Sequence, residues 1–331
     1  MTKSQCPRAL RFERLENRLT LDGNVTAYVS GPNLVLIGDD LPNEVSMFRL
    51  QTAVGDIPAG AYILMGGTGG GDSAASAPTT INGQPYVVIR AQPTRSSSLY
   101  VDLRGGDDVL MLGNSQNFNT DTGQAFDGVT SLLNENYQAL IDAQASQLEI
   151  RNSVYLRLGQ GDDVLGLDGL VVNRDLYVDT GSTESTGVGA NYGYNDFVMG
   201  LNSWVGRNAG IRTSQGNDAV LLGSTPNTEE NQPGLTSNPF EQDRSIPGMA
   251  VGKSLITCTG AGDDDVSLNN TSAPRVGAFL GTGNDNLSFS YVWIWWLRAD
   301  GDSDNDTISA RPTNGVNVLK REIWNFETQL V

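Results

Sequence analysis

The chain has 331 residues, 39 of them glycine, with a formal net charge of -17 and no histidine. The acidic balance makes nucleic acid a poor partner and divalent cations a good one, while the lack of histidine excludes Ser-His-Asp and Cys-His catalysis and any His-ligated metal. No apolar run is long enough for a transmembrane segment, and the two cysteines, Cys6 and Cys258, are too far apart in sequence to form a metal-type pair.

Residues 1–22 lack the apolar core of a conventional signal peptide. Within 8–23, Phe12, Leu15 and Leu19 fall at helical spacing between charged residues, which predicts an amphipathic helix capping whatever follows. The same stretch resembles the LEPR-xLL type N-terminal motif of repeat-rich bacterial surface proteins. Phe12, Glu13, Leu15, Glu16, Arg18, Leu19 and Leu21 match, and Asn17 stands where that family usually has proline. The resemblance implies an extracellular or cell-surface location.

From residue 97 onward an Asp-centred box recurs. Its second acidic position falls at Asp108, Asp163, Asp196, Asp218, Asp264, Asp285 and Asp306, at spacings of 55, 33, 22, 46, 21 and 21 residues. The short spacings agree on about 21 residues, and the longer ones read as one repeat plus an insertion. Two residues after each origin stand Leu110, Leu165, Val198, Val220, Val266, Leu287 and Ile308. Four after stand Leu112, Leu167, Gly200, Leu222, Leu268, Phe289 and Ala310. Before the origin, Leu99, Val101 and Leu103, or Val154, Leu156 and Leu158, repeat the alternation, so each unit reads as strand, Gly-rich corner, strand.

A unit of about 21 residues predicts an all-β fold, a right-handed parallel β-helix with three sides, whose coils stack about 4.8 Å apart. A first, degenerate coil places Asn43 at the origin, with Val45 and Met47 at the inward positions. That makes about eight coils and a rod of about 40 Å over residues 23–331. Insertions are expected at about 51–95, 115–150 and 225–249, all departing from one corner. The second carries a predicted helix over 125–147, with Val129, Leu133, Tyr137, Leu140 and Ile141 as its apolar stripe, and the first holds a loop over 66–80. The N-terminal helix and the tail 316–331 are the expected covers for the open ends.

Stacking would bring the origin carboxylates to about 5 Å from one another, at a like-charge cost of roughly 3 kcal/mol per neighbour for an effective dielectric near 20. Such a row needs solvation, hydrogen bonds from corner amides, or bridging cations. The boxes also resemble the RTX, or haemolysin-type, calcium-binding nonapeptide. Gly281, Gly283, Asp285 and Leu287 match best, then Gly216, Asp218 and Val220, and Gly260, Gly262, Asp264 and Val266. The resemblance implies calcium as a cofactor, with Asp108, Asp163, Asp218, Asp264, Asp285 and Asp306 as metal ligands. Unlike a true RTX roll, this chain has one box per longer coil. The alternative is a set of Asx-type turns accepting corner N–H groups, and the neighbouring Asp107, Asp162, Asn217, Asp263, Asn284 and Asn305 suit either role.

The evenly spread acids read as a ladder, so the expectation is a non-enzymatic secreted or cell-surface structural or adhesive protein, stabilised by calcium. Polysaccharide or cell-surface components are its expected partners. The alternatives are a polysaccharide lyase or hydrolase and a glycan-binding module, the latter through Trp293 and Trp295 of the run YVWIWWL (291–297).

Overall fold

A computed structural model describes residues 23–67, 78–89, 97–114, 140–181 except 141 and 146, 195–223, 248–310 except 303, and 316–330 except 327. The chain is all-β with almost no helix among these residues, and most of its strands pair in parallel. The N-terminal motif at 8–23, most of the loop at 66–80 and most of the segment 225–249 lie outside the described residues, as does most of the helix expected over 125–147.

Three parallel ladders carry the fold. The first contains Asn33–Ile37, Leu99–Asp102, Val154–Arg157, Leu176–Asp179, Asn208–Arg212, Ser254–Ala261, Thr271–Thr282, Trp293–Asp300 and Asn317–Trp324. The second contains Glu44–Arg49, Val109–Gly113, Val164–Asp168, Phe197–Leu201, Ala219–Leu222, Asp265–Asn269, Asn286–Ser290, Thr307–Ala310 and Thr328–Leu330. A shorter third ladder joins Leu148–Ile150, Leu170–Val172, Ser203–Val205, Met249–Val251 and the start of Thr271–Thr282. The chain runs from the first ladder through an Asp box to the second, then to the third where that is present, and back to the first.

Register follows the Asp spacing. Val45, Leu110, Leu165, Val198, Val220, Val266, Leu287 and Ile308 are directly paired in one column of the second ladder. All are buried, as are Met47, Leu112, Leu167, Leu222, Leu268 and Phe289 in the next inward column. Only every second residue of a strand faces inward, so a single unit has no core of its own. Stacking the units joins their inward faces into one continuous apolar cluster.

Asn43 takes its expected place as the first origin, with Val45 and Met47 buried beyond it. The tail does not act as a cover. Asn317–Trp324 and Thr328–Leu330 extend the first and second ladders in parallel, giving nine strands in each among the described residues, and Val318 and Ile323 pack on the core. The tail lacks an Asp box, but ladder pairing needs only backbone N–H and C=O groups.

At the N-terminal end the parallel ladders give way to mostly antiparallel pairing, with Asn24–Ser30 also parallel to Thr80–Ile81. Asn24–Ser30 pairs antiparallel with Asn33–Ile37, Tyr62–Gly66 pairs antiparallel with Glu44–Arg49, and Tyr86–Ile89 follows antiparallel on Tyr62–Gly66. These strands cover the edges of the first rung. Part of the first insertion is therefore sheet. Leu140, the described member of the expected helical stripe, is buried with Phe48, Leu50, Ile63, Met65 and Ala143.

The three expected insertions all leave after the second ladder, following Glu44–Arg49, Val109–Gly113 and Ala219–Leu222, but a fourth leaves elsewhere. Between Leu176–Asp179 and Phe197–Leu201 the extra residues precede the Asp box. The first-ladder step from Val154 to Leu176 is 22 residues and from Leu176 to Ala209 is 33, whereas the second-ladder step from Val164 to Phe197 is already 33.

Candidate functional site

The corner between the first and second ladders holds every Asp box. In five of the seven boxes a glycine precedes the Asp or Asn pair, because the backbone of one unit touches that of the next. At Gly262 (φ +137°) an added Cβ would lie 1.8 Å from the Gly216 carbonyl oxygen, and at Gly283 (φ +137°) 1.9 Å from that of Gly262. No other residue type fits both the conformation and the space.

The origin carboxyls point inward. Asp108, Asp163, Asp196, Asp218, Asp264, Asp285 and Asp306 are each no more than 2% exposed, and Asn43 is fully buried. The structure therefore aligns all six predicted metal-ligand residues in one row, together with Asp196, beneath the surface of the corner. Their Oδ1 atoms form an uninterrupted ladder. The Asn43 amide donates to Asp108 (2.7 Å), Asp108 to Asp163 (2.9 Å), Asp163 to Asp196 (3.1 Å) and Asp196 to Asp218 (2.8 Å). It continues from Asp218 to Asp264 (2.8 Å), Asp264 to Asp285 (2.8 Å) and Asp285 to Asp306 (2.9 Å).

Outside this inner row runs a second one of opposite polarity. Here the amide of the later unit donates to the side chain of the earlier. Asp162 donates to Asp107 Oδ1 (3.0 Å), Asn195 to Asp162 (2.9 Å), Asn217 to Asn195 (2.9 Å), Asp263 to Asn217 (2.9 Å) and Asn284 to Asp263 (2.8 Å). All six of these residues are exposed. The Asx-type alternative thus describes both rows, with each link joining neighbouring units where an ordinary Asx turn would close within one unit.

Burial sets the electrostatics of the inner row. Desolvation is the main cause in every case, raising Asp163 to about 9, Asp108 to about 8, Asp196 and Asp264 to about 7 and Asp285 to about 6, with Asp218 raised as well. Amide hydrogen bonds pull each value back, and neighbouring carboxylates push most of them further up. Thr180, Thr213 and Thr259 occupy the column ahead of Asp196, Asp218 and Asp264 and lower the pKa of each by a side-chain hydrogen bond, whereas Leu103, Leu158 and Leu280 occupy it ahead of Asp108, Asp163 and Asp285. Thr180 Oγ1 donates to Asp196 Oδ2 at 2.7 Å. The Oδ2 atoms of Asp108, Asp163 and Asp285 are enclosed without a hydrogen-bond partner among the described residues. A carboxyl in that setting is favoured in its uncharged form.

Calcium takes several oxygen ligands, from carboxylates and carbonyls, converging on one point. In the inner row each Oδ1 accepts an amide hydrogen bond, and burial in the metal-free protein favours the protonated group. The accessible carboxylates belong to the outer row, at Asp107, Asp162 and Asp263.

Trp295 projects into solvent, 61% exposed, and Trp293 is half-buried. Trp296 lies on the outside as well, with the Arg275 guanidinium 5.9 Å and the Lys320 ammonium 5.5 Å from its ring centroid.

Sequence reasoning overlooked a row on the outer face of the first ladder. Tyr100, Tyr155 and Tyr177 are in direct register and stack, with centroids 4.8 Å apart at 6° and 5.2 Å apart at 15°. The available signal was the recurrence of SLYVDL (98–103), SVYLRL (153–158) and DLYVDT (175–180). No protein-family model matches the chain, and neither curated proteins nor solved structures provide a match.

Proposed function

We propose that the three ladders are the walls of a right-handed parallel β-helix, and that the chain is a non-enzymatic structural or adhesive protein, secreted or held at a bacterial cell surface. The supporting observation is the inner Asp row. A hydrolase or lyase needs carboxyls that reach substrate, whereas the inner-row carboxyls, which carry the largest pKa shifts, are buried and bonded to backbone amides. They act as internal rivets between stacked units. The surface location rests on the resemblance of Phe12 to Leu21 to the LEPR-xLL motif.

Calcium belongs to this proposal as a ligand of the outer carboxylates, where it would offset repulsion among exposed acids on a chain of net charge -17. Melting in millimolar calcium against chelator is expected to show a rise that the outer-row variant Asp107→Asn, Asp162→Asn, Asp263→Asn lacks. No rise in the parent protein removes calcium from the reading. The functional claim is tested by incubating purified protein with acidic and neutral polysaccharides and by fractionating the cells that make it. Intact polymer and protein in the surface or secreted fraction are expected; reproducible chain cleavage would overturn the proposal.

A further inference from the structure

The tyrosine row is interrupted by a glycine. On the outer face of the first ladder the register runs Val35, Tyr100, Tyr155, Tyr177, Gly210, Ile256. Tyr155 is covered on both ring faces by stacked neighbours, but the far face of Tyr177 looks over Gly210, which carries no side chain. Tyr177 is correspondingly the most exposed of the three, at 44% against 38% for Tyr100 and 37% for Tyr155. Beyond the gap Ile256 closes the row, 45% exposed. From Tyr177 to Ile256 is two strand spacings, about 9.5 Å, so the gap takes one ring between an aromatic face and an aliphatic wall. It opens into a groove of about 570 Å³ that runs along the tyrosines.

A column of charges flanks this gap. Asp102, Arg157, Asp179 and Arg212 are in direct register and alternate in sign, and all line the groove. Asp179 Oδ1 has no hydrogen-bond partner among the described residues. On a chain of net charge -17 this patch sums to zero, so its field selects neither polyanion nor polycation. An aromatic face beside alternating donors and acceptors suits a ring that is apolar on its faces and hydroxylated at its rim. A phenyl side chain would leave the charged column without partners.

We propose that the slot over Gly210, between Tyr177 and Ile256, binds one pyranose ring of a neutral polysaccharide, with the polymer continuing along the edges of Tyr155 and Tyr100. This gives the adhesive part of the proposed function a ligand, and it rests on that reading only for the biological use of the contact. It also moves glycan recognition from Trp293 and Trp295 to a different part of the surface.

The test is calorimetry of the whole chain with cellohexaose, mannohexaose and maltohexaose, beside the variants Gly210→Tyr, Tyr177→Ala and Trp293→Ala, Trp295→Ala. A Cβ at Gly210 meets only Tyr177 Cδ1, at an ordinary 3.6 Å. Gly210→Tyr should therefore fold, confirmed by an unchanged or raised melting temperature, while filling the slot with a fourth stacked ring. At least one hexasaccharide is expected to bind the parent and the double Trp variant alike, Tyr177→Ala to weaken it about tenfold or more, and Gly210→Tyr to abolish it. The proposal fails if none of the three sugars binds, if Gly210→Tyr binds as the parent does, or if only the double Trp variant loses binding. Binding of N-acetyltyrosine amide at the slot without any sugar would also overturn it, in favour of a protein partner. Each of these failures leaves the Asp-row reading of the scaffold to stand or fall on the pH and substitution experiments below.

Discussion

Adjacent residues in the same corner, Asp162 and Asp163, illustrate two uses of one side chain. Asp163 is buried and accepts from the amide of the preceding unit; Asp162 is exposed and accepts from that of the following one. Across the described boxes the outer position is filled by Asp or Asn, Asn195, Asn217 and Asn284 standing beside Asp107, Asp162 and Asp263, because it requires only an acceptor oxygen and water covers the rest. The inner position is Asp in all seven boxes, with Asn43 at the end of the row. Opposite polarity ties each corner to its neighbours in both directions, so the two rows resist sliding of either unit past the other.

Breaking both rows at once should cost most. Gly262→Ala places a Cβ against the Gly216 carbonyl at a strained φ in front of Asp263 and Asp264, and a loss of at least about 3 kcal/mol is expected in denaturant melts. Removing one inner rivet comes next. Asp163→Ala leaves the buried Asp108 amide without its acceptor and opens a small cavity, for a loss of about 2–4 kcal/mol.

The pH dependence sharpens the contrast between rows. The inner carboxyls have folded pKa values above the unfolded value, so between about pH 4 and 9 the native state binds more protons than the unfolded one. Their contribution is fully present below the unfolded pKa and declines as pH rises through the folded values, about 7 for Asp196 and Asp264, about 8 for Asp108 and about 9 for Asp163. Melting temperature should therefore fall steadily from weakly acidic to alkaline buffer. Asp163→Asn, an uncharged mimic of the protonated acid, should match the parent only at about pH 4, where the unfolded parent is also protonated, and exceed it in melting temperature by a margin that grows through neutral pH to the alkaline end. The smallest effect belongs to the outer row: Asp162→Ala should cost less than about 1 kcal/mol, and Asp162→Asn should be close to neutral.

The legible part of the fold was its register. Asp264, Asp285 and Asp306 recur at 21 residues, and their strands pair at that offset. The inward columns could be read because strand alternation needs only residue type. The same alternation held a signal that was passed over: an origin two residues before Leu110 and four before Leu112 shares their parity, and so faces inward with them. A carboxylate reads as a surface charge until the amide that receives it is known, and that amide lies 21 to 65 residues away. The tail 316–331 differs from the expected cover because its backbone extends the ladders without a box. The extra residues before Asp196 were ambiguous for a related reason, since a spacing between origins reveals that residues were inserted but not on which side of the strand they leave.

The central claim is that the inner Asp row is a buried ladder whose carboxyls titrate above the usual range, with Asp108 and Asp163 protonated at neutral pH, and the outer row a solvated one. It is tested most directly by titrating the side-chain carboxyl carbons of aspartate-labelled protein by carbon-detected NMR, with Asp163→Asn and Asp108→Asn to assign the signals. The account predicts carboxyl resonances that titrate at about 8 for Asp108 and about 9 for Asp163, and that shift toward the protonated form at neutral pH. If both side chains are fully ionised at pH 5, the inner row is a charged ladder and the account is wrong.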